Sequence, residues 1–338
     1  MPLRERGYAS RTMGRMVFIR LYREGKLERD DVRAHEIEAL ARQDDVVLWI
    51  DYTNPTADDL LGVETVYGLH RLAVEDAVHD FQRPKLDRYP NHLFLSAYQA
   101  ALRPGTGELA VAEISAFVTH NALVTVHGPE FDTDALTAHW DAETELAQHG
   151  VPFLFWGLLD MIVDGHFDAV QELDGYIDAL EESLFDDHSP DHDLQRKTFE
   201  LRKNLVRLRR VVLPMREVLN TLLRRDDLVG CSPAMQPFLQ DVYDHVLRAT
   251  EWTESLRDLV TTILETHISI QGNQMNLVMK KVTSWAAIIA VPTAVTGFFG
   301  QNVPFFGFQS DYGLWLSCAL MAGGSIFLYL AFKKRDWI

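Results

Sequence analysis

Two cysteines in 338 residues cannot make a disulfide scaffold. Cys318 lies within an apolar run and Cys231 in a Gly-Cys-Ser-Pro segment, a pattern suited to a reducing compartment for the polar part. Positive charge is also scarce. The 49 acidic residues outnumber 32 Lys and Arg, a formal net charge of −17. This argues against nucleic acid as a partner, because phosphate binding needs a basic surface. The deficit is concentrated between Asp160 and Gln195, where twelve Asp or Glu occur without one Lys or Arg. Enzyme signatures are missing too: the chain has no Walker loop, no His-Glu-x-x-His and no recognisable nucleophile–base pair. Arg4, Arg6, Arg11 and Arg15 are not followed by a long apolar core, so the start does not read as a signal peptide. Internal repeats and low-complexity tracts are absent as well.

Two uncharged apolar runs near the end, residues 282–299 and 312–332, dominate what is present. As helices, each is long enough to cross a hydrocarbon layer of ~30 Å. Lys280 and Lys281 precede the first, and Lys333, Lys334 and Arg335 follow the second, while the loop between them has no Lys or Arg. The positive-inside rule then puts both termini in the cytoplasm and the loop outside, in a plasma or inner membrane. Upstream the pattern is mixed. Strand-like runs occur at residues 17–22, 46–50, 92–100, 113–119 and 122–127, and residues 58–79 carry apolar side chains at helical spacing. After Val151-Pro152 the strand signals stop. An acidic helix over 166–185 and a basic one over 193–225, carrying Arg202, Lys203, Arg207, Arg209 and Arg210, read as an antiparallel hairpin with complementary faces. Pro214 is a candidate kink in the second.

From about Pro237 the helical period runs on to Phe299, a stalk on the order of 90 Å long. The expected organisation is a basic tail (1–15), a cytoplasmic α/β domain (16–165), a helical hairpin (166–236) and a stalk helix (237–281). There follow a first transmembrane helix (282–299), an external loop (300–311), a second transmembrane helix (312–332) and a basic cytoplasmic tail (333–338). Polar or small residues recur near one face of the stalk and first span: Asn276, Met279, Val282, Thr293 and Thr296. One hairpin has too little surface to enclose a path, so conduction needs several copies around an axis. The alternative is a plain anchor whose hydroxyls bond back onto their own helix. The loop segment with His188 and His192 is a further metal candidate, although Pro190 breaks the helix that would align the two rings.

Lys280 to Asn302 resembles the inner helix of the CorA magnesium transporter family, which ends in a Gly-Met-Asn signature. Here the triplet is Gly300-Gln301-Asn302. The resemblance extends through Val74-Glu75-Asp76, Gln82-Arg83-Pro84-Lys85-Leu86, Leu201-Arg202-Lys203-Asn204-Leu205 and Leu213-Pro214-Met215-Arg216-Glu217-Val218-Leu219. It continues in Asp241-Val242-Tyr243-Asp244-His245, in Asn276 and in the closing Phe332-Lys333-Lys334-Arg335-Asp336-Trp337. It implies an α+β architecture: a cytoplasmic α/β/α domain, a long stalk helix and two C-terminal transmembrane helices, assembled as a funnel-shaped homopentamer in membrane lipid. It further implies Asn302 as the outer ring, Gly300 in the tight turn, Thr293 as a midway ring, and Asn276, Met279 and Val282 at the cytoplasmic constriction. By the same resemblance, Mg2+ is both the transported and the regulatory ion, with Co2+ or Ni2+ as surrogates. Regulatory ions would sit between neighbouring subunits at Asp76 and Asp241, with Glu75 beside them. Gln301 departs from the signature, and the related ZntB group, proposed to carry zinc with protons, also varies that middle residue. A ZntB-like transporter and a non-conducting divalent-ion sensor are therefore the alternatives.

Overall fold

The computed structural model describes residues 17–79, 81–184, 191–224, 232–301, 304 and 310–338. It divides into two units, residues 1–261 and 262–338.

The first unit is built on a seven-stranded sheet of order β2-β1-β3-β7-β6-β5-β4. Its strands are β1 (Val17–Arg23), β2 (Lys26–Arg29), β3 (Val46–Thr53), β4 (Lys85–Arg88), β5 (Leu93–Leu102), β6 (Leu109–Val118) and β7 (Ala122–His127). Every pairing is antiparallel except β3 with β7, which run parallel with Leu48 opposite Ala122. The helices of this region are α1 (Ile37–Leu40), α2 (Leu61–Tyr67), α3 (Arg71–Val78) and α4 (Thr133–Ala142). Alternation along the strands feeds two cores. Leu48, Ile50 and Tyr52 of β3 join Ile37, Leu40, Val63, Tyr67 and Val74 on one side. On the other side Trp49 packs edge-on against Trp140 of α4, with ring centroids 4.7 Å apart. Burial on both faces explains why Val46-Val-Leu-Trp-Ile50 reads as one continuous apolar run.

The same two-sided burial hid a helix boundary. α5 (Val151–Leu184) starts fifteen residues before the acidic amphipathic stretch that announced it. Its first half, rich in Phe, Leu, Ile and Val, is almost wholly buried, so no polar face marks the helical period. Pro152 stands in the first turn, where a missing N–H costs nothing. The helical stretch 58–79 is likewise not one helix. It breaks at Gly68, whose φ of +61° caps α2 in the left-handed region, and α3 begins after His70. Edge strands β2 (Lys-Leu-Glu-Arg) and β4 (Lys-Leu-Asp-Arg) carry no apolar run and escaped the sequence reading. Short charged edges of this kind discourage pairing with other chains.

α6 (Asp191–Leu223) runs through Pro214 as one element, and packs on α5 through buried Leu194, Leu201, Leu205 and Leu208. Two of its arginines reach beyond the hairpin: Arg207 lies 3.6 Å from Glu108 and Arg209 lies 3.4 Å from Glu254. α7 (Gln236–Phe299) is continuous for 64 residues. The second unit comprises its portion from Thr262 and α8 (Asp311–Lys334). Both α7 and α8 contain stretches long and apolar enough to cross a membrane.

Candidate functional site

The membrane part of α7 has two unlike faces. At about 100° per residue, Asn276, Met279, Val282, Ala286, Ala290, Thr293, Gly297 and Gly300 fall within one arc of about 120°. All eight are exposed. Ser284, Ala287, Ile288, Val291, Pro292, Val295 and Phe299 occupy a roughly opposite arc and are buried or half-buried. On α8, Gly313, Ser317, Met321, Gly324, Leu328 and Ala331 form the matching stripe at i, i+4 and i+7. The contact is close: a Cβ on Gly324 would stand 2.9 Å from Val291 Cγ1. Within a single chain, α8 therefore covers one side of α7 and leaves the small and polar side bare. Of the large exposed side chains, Trp285 and Ile289 lie outside the bare arc, and Met279 and Val282 lie within it.

Local bonding sets what the bare face offers. Thr293 Oγ1 donates to the Ile289 carbonyl at 3.0 Å, the back-bonded arrangement of a plain helix hydroxyl. Its proton is thereby committed, and its outward lone pair is an acceptor. A cation that keeps its inner waters presents donors, so acceptors are what it needs from a wall. At the helix end, Gly300 N–H bonds to Thr296 O at 2.8 Å, and a Cβ there would meet the same oxygen at 2.8 Å. Glycine is thus required by the closing turn. Gln301 follows as an exposed residue; Asn302 lies outside the described residues. Asn276 and Met279, with Asn273, Lys280 and Thr283, line an open groove of about 520 Å³ bordered by Trp337. That indole is stacked on Phe332 at an interplanar angle of 8°.

The expected sensor carboxylates sit in the first unit. Asp76, on α3, is 30% exposed, and Lys85 Nζ lies 2.7 Å from its Oδ2. The same ammonium lies 2.7 Å from Asp87 on β4 and 5.5 Å from the ring centre of Phe94. Glu75 is exposed beside it, and its carbonyl is bonded to His79. Asp241 is in the second turn of α7 and 70% exposed. His245, one turn on, has Nε2 3.8 Å from Asp241 and Nδ1 3.2 Å from Asp164 of α5. Burial, with Asp160 nearby, holds the Asp164 carboxyl above the usual range although His245 opposes the shift. His139 and Asp160, 3.1 Å apart, continue this row, and the His139 imidazole is raised by that hydrogen bond.

Among the described residues no three His, Cys, Asp or Glu groups converge to hold a metal ion. Part-exposed carboxylates do suit a hard cation bound through its waters. Sequence reading missed Lys85, Asp164 and His245 as neighbours of these carboxylates. Only the i, i+4 spacing of Asp241 and His245 was a readable signal; the other contacts join separate elements. His188 and the side chain of His192 lie outside the described residues.

A buried ionic network lies within the sheet of the first unit. Asp51 on β3 accepts from Thr125 Oγ1 and sits 3.0 Å from His127 Nε2, while His127 Nδ1 reaches the Gly128 carbonyl at 2.7 Å. Trp49 Nε1 donates to Thr125 at 2.9 Å. Burial pulls the His127 imidazole down, but the Asp51 hydrogen bond and charge outweigh it and the net shift is upward. With its polar groups satisfied inside the sheet, this pair is structural.

Three comparisons bear on the assignment. Residues 44–334 match the family of CorA-like Mg2+ transporter proteins. A cobalt/magnesium transport protein, CorA, of Thermotoga maritima is 28% identical over 295 residues, covering 86% of this chain and 83% of that protein. The complete structure of the CorA magnesium transporter from Methanocaldococcus jannaschii superposes with a TM-score of 0.77 at 20% identity, covering 96% of this chain and 99% of that one. The full-length CmaX protein superposes with a TM-score of 0.73, also at 20% identity, over 95% of this chain and 97% of that chain.

Proposed function

The chain belongs to the CorA-like Mg2+ transporter family, and from that premise we propose that it conducts hydrated divalent cations, Mg2+ foremost, through a homopentameric path lined by α7. The observation that carries this reading is the bare arc of α7. A helix whose small and polar side is uncovered, while α8 protects the opposite side, is ready to meet other copies of itself around an axis. Asn276, Met279 and Val282 form the cytoplasmic constriction, Thr293 a polar ring midway, and Gly300, Gln301 and Asn302 the outer entrance. Neutral acceptors suit this task. Mg2+ sheds its waters reluctantly, and rings of amide or hydroxyl oxygen hold the hydrated ion without trapping it. A divalent ion crossing a potential of ~100 mV gains roughly 4.6 kcal/mol, so no nucleotide site is needed. Both termini are cytoplasmic in this arrangement, as the flanking Lys and Arg require.

Regulation follows from the carboxylates. Asp76, with Glu75 beside it, and Asp241 lie on separate elements, and the described part of one chain completes no metal site. Two neighbouring subunits complete one by bringing Asp76 of one toward Asp241 of the next, bridged by Mg2+ and its waters. Loss of that ion at low cytoplasmic Mg2+ loosens the assembly and favours opening.

The test is uptake into liposomes containing a magnesium-sensitive dye, under an imposed potential, with the oligomer verified. Flux above that of empty vesicles is expected, and its inhibition by internal Mg2+ should weaken in Asp241→Ala. No flux from a verified pentamer sinks the transport reading. Zinc flux that follows a proton gradient moves the protein to the ZntB-like reading, for which Gln301 is the residue of interest.

A further inference from the structure

The Asp76 carboxylate is not free to wait for a metal. Lys85 reaches it from β4 at 2.7 Å, and Asp87 two residues along the same strand holds the other side of the ammonium at 2.7 Å. Phe94 of β5, paired with Asp87 in the ladder, supplies the aromatic face beneath it. Lys85 is 31% exposed, so the ammonium is shielded on three sides without being sealed from water. A cation of the protein's own thus occupies an oxygen that a divalent ion would use. The charge sum is simple: one ammonium is shared by two carboxylates, leaving the cluster with one net negative charge.

We propose that Lys85 is the built-in competitor of the regulatory ion at Asp76, and that Asp87 sets how strongly it competes. This rests on the sensor reading of Asp76 given above. In the ion-free protein Lys85 holds Asp76 in place and offsets its charge. When Mg2+ approaches, the ammonium shifts its weight toward Asp87, and Asp76 turns an oxygen to the ion's water shell. The arrangement lowers Mg2+ affinity, which a sensor needs if it is to release its ion as the cytoplasmic concentration falls. Two substitutions have opposite effects. Without the ammonium, Asp76 and Asp87 repel each other and draw a divalent ion more strongly. Without Asp87, the ammonium pairs with Asp76 alone and yields it less readily.

The experiment is a Mg2+ titration of the detergent-solubilised full-length protein, reading protection from trypsin and the Tm at each concentration. Lys85→Met should lower the midpoint about three- to fivefold, the scale of a half-exposed ion pair. Asp87→Asn should raise it by about twofold or more, and Asp76→Asn serves as the reference for the sensor itself. Opposite shifts in Lys85→Met and Asp87→Asn support the proposal. If Asp76→Asn moves the midpoint and neither of the others does, the competitor role is refuted and the sensor stands. If both variants lower only the ion-free Tm, or shift the midpoint in one direction, Lys85 is a structural tie between α3 and β4, and the proposal is overturned. If Asp76→Asn leaves the midpoint unmoved, the sensor reading falls and this inference falls with it. Asp87→Asn keeps the ammonium beside Asp76 and so gives an answer even where Lys85→Met folds poorly.

Discussion

Single cysteines along α7, placed in a background lacking Cys231 and Cys318, turn the two-faced helix into a flux measurement. Met279, Ala286 and Thr293 lie in the bare arc, whereas Ser284, Ile288, Val291 and Val295 lie in the arc covered by α8. A thiol reagent that adds one positive charge is then applied to reconstituted protein. If the bare arc lines the path, the added charge stands roughly 8 Å from an ion on the axis. At an effective dielectric of about 20 this costs about 4 kcal/mol for a divalent ion, and about 2 kcal/mol remains if a wet path doubles the screening. Since each ~1.4 kcal/mol is tenfold, Mg2+ flux should fall about thirtyfold or more at positions 279, 286 and 293. At 284, 288, 291 and 295 the thiol faces α8, the reagent is excluded, and flux should change by less than about twofold. A reactivity pattern without helical period, or flux lost at 284 and 291 and kept at 286 and 293, would refute the assignment of the pathway face.

Two further predictions concern packing and charge. Gly324→Val should lower the Tm of the solubilised protein, at a cost of about 1–3 kcal/mol, because its Cβ meets Val291 at 2.9 Å. Gly323→Ala, whose Cβ meets nothing within 4 Å, should be neutral or stabilising by up to ~1 kcal/mol; the reverse ranking would show that α8 packs on α7 by another face. Asp51→Asn should cost about 3 kcal/mol at acidic pH, where it strips a buried imidazolium of its counter-charge. Because the folded His127 value is raised, this pair's contribution is complete below the unfolded value of about 6.5 and is lost as pH rises through the folded one. The difference between parent and variant, followed by urea unfolding of the full chain from acid to mildly alkaline pH, should therefore shrink as pH rises. A constant difference would mean that His127 is neutral throughout.

Much of this architecture can be read from one-dimensional pattern, and the failures are as physical as the successes. The two C-terminal apolar helices were visible because uncharged runs of membrane length would be costly to leave in water. Central strands announced themselves through β-branched and aromatic residues. The start of α5 did not, since a helix buried all round loses the polar face that reveals its period. Edge strands β2 and β4 were invisible for the opposite reason, being short and charged. The break at Gly68 depends on one left-handed residue inside an otherwise helical pattern.

The site divides along the same line. Composition and local order decided that this chain carries two membrane-length helices and that a glycine stands where the first of them ends. Those facts depend on residue type and near-neighbour spacing, which a sequence states directly. Which face of α7 stays bare was decided only when α8 packed on Val291 through Gly324. Likewise, nothing local ties Lys85 to Asp76, nine residues away on another element, or Asp164 to His245, 81 residues away. Such contacts arise where separate elements converge, and it is there that a carboxylate's availability to an ion is settled.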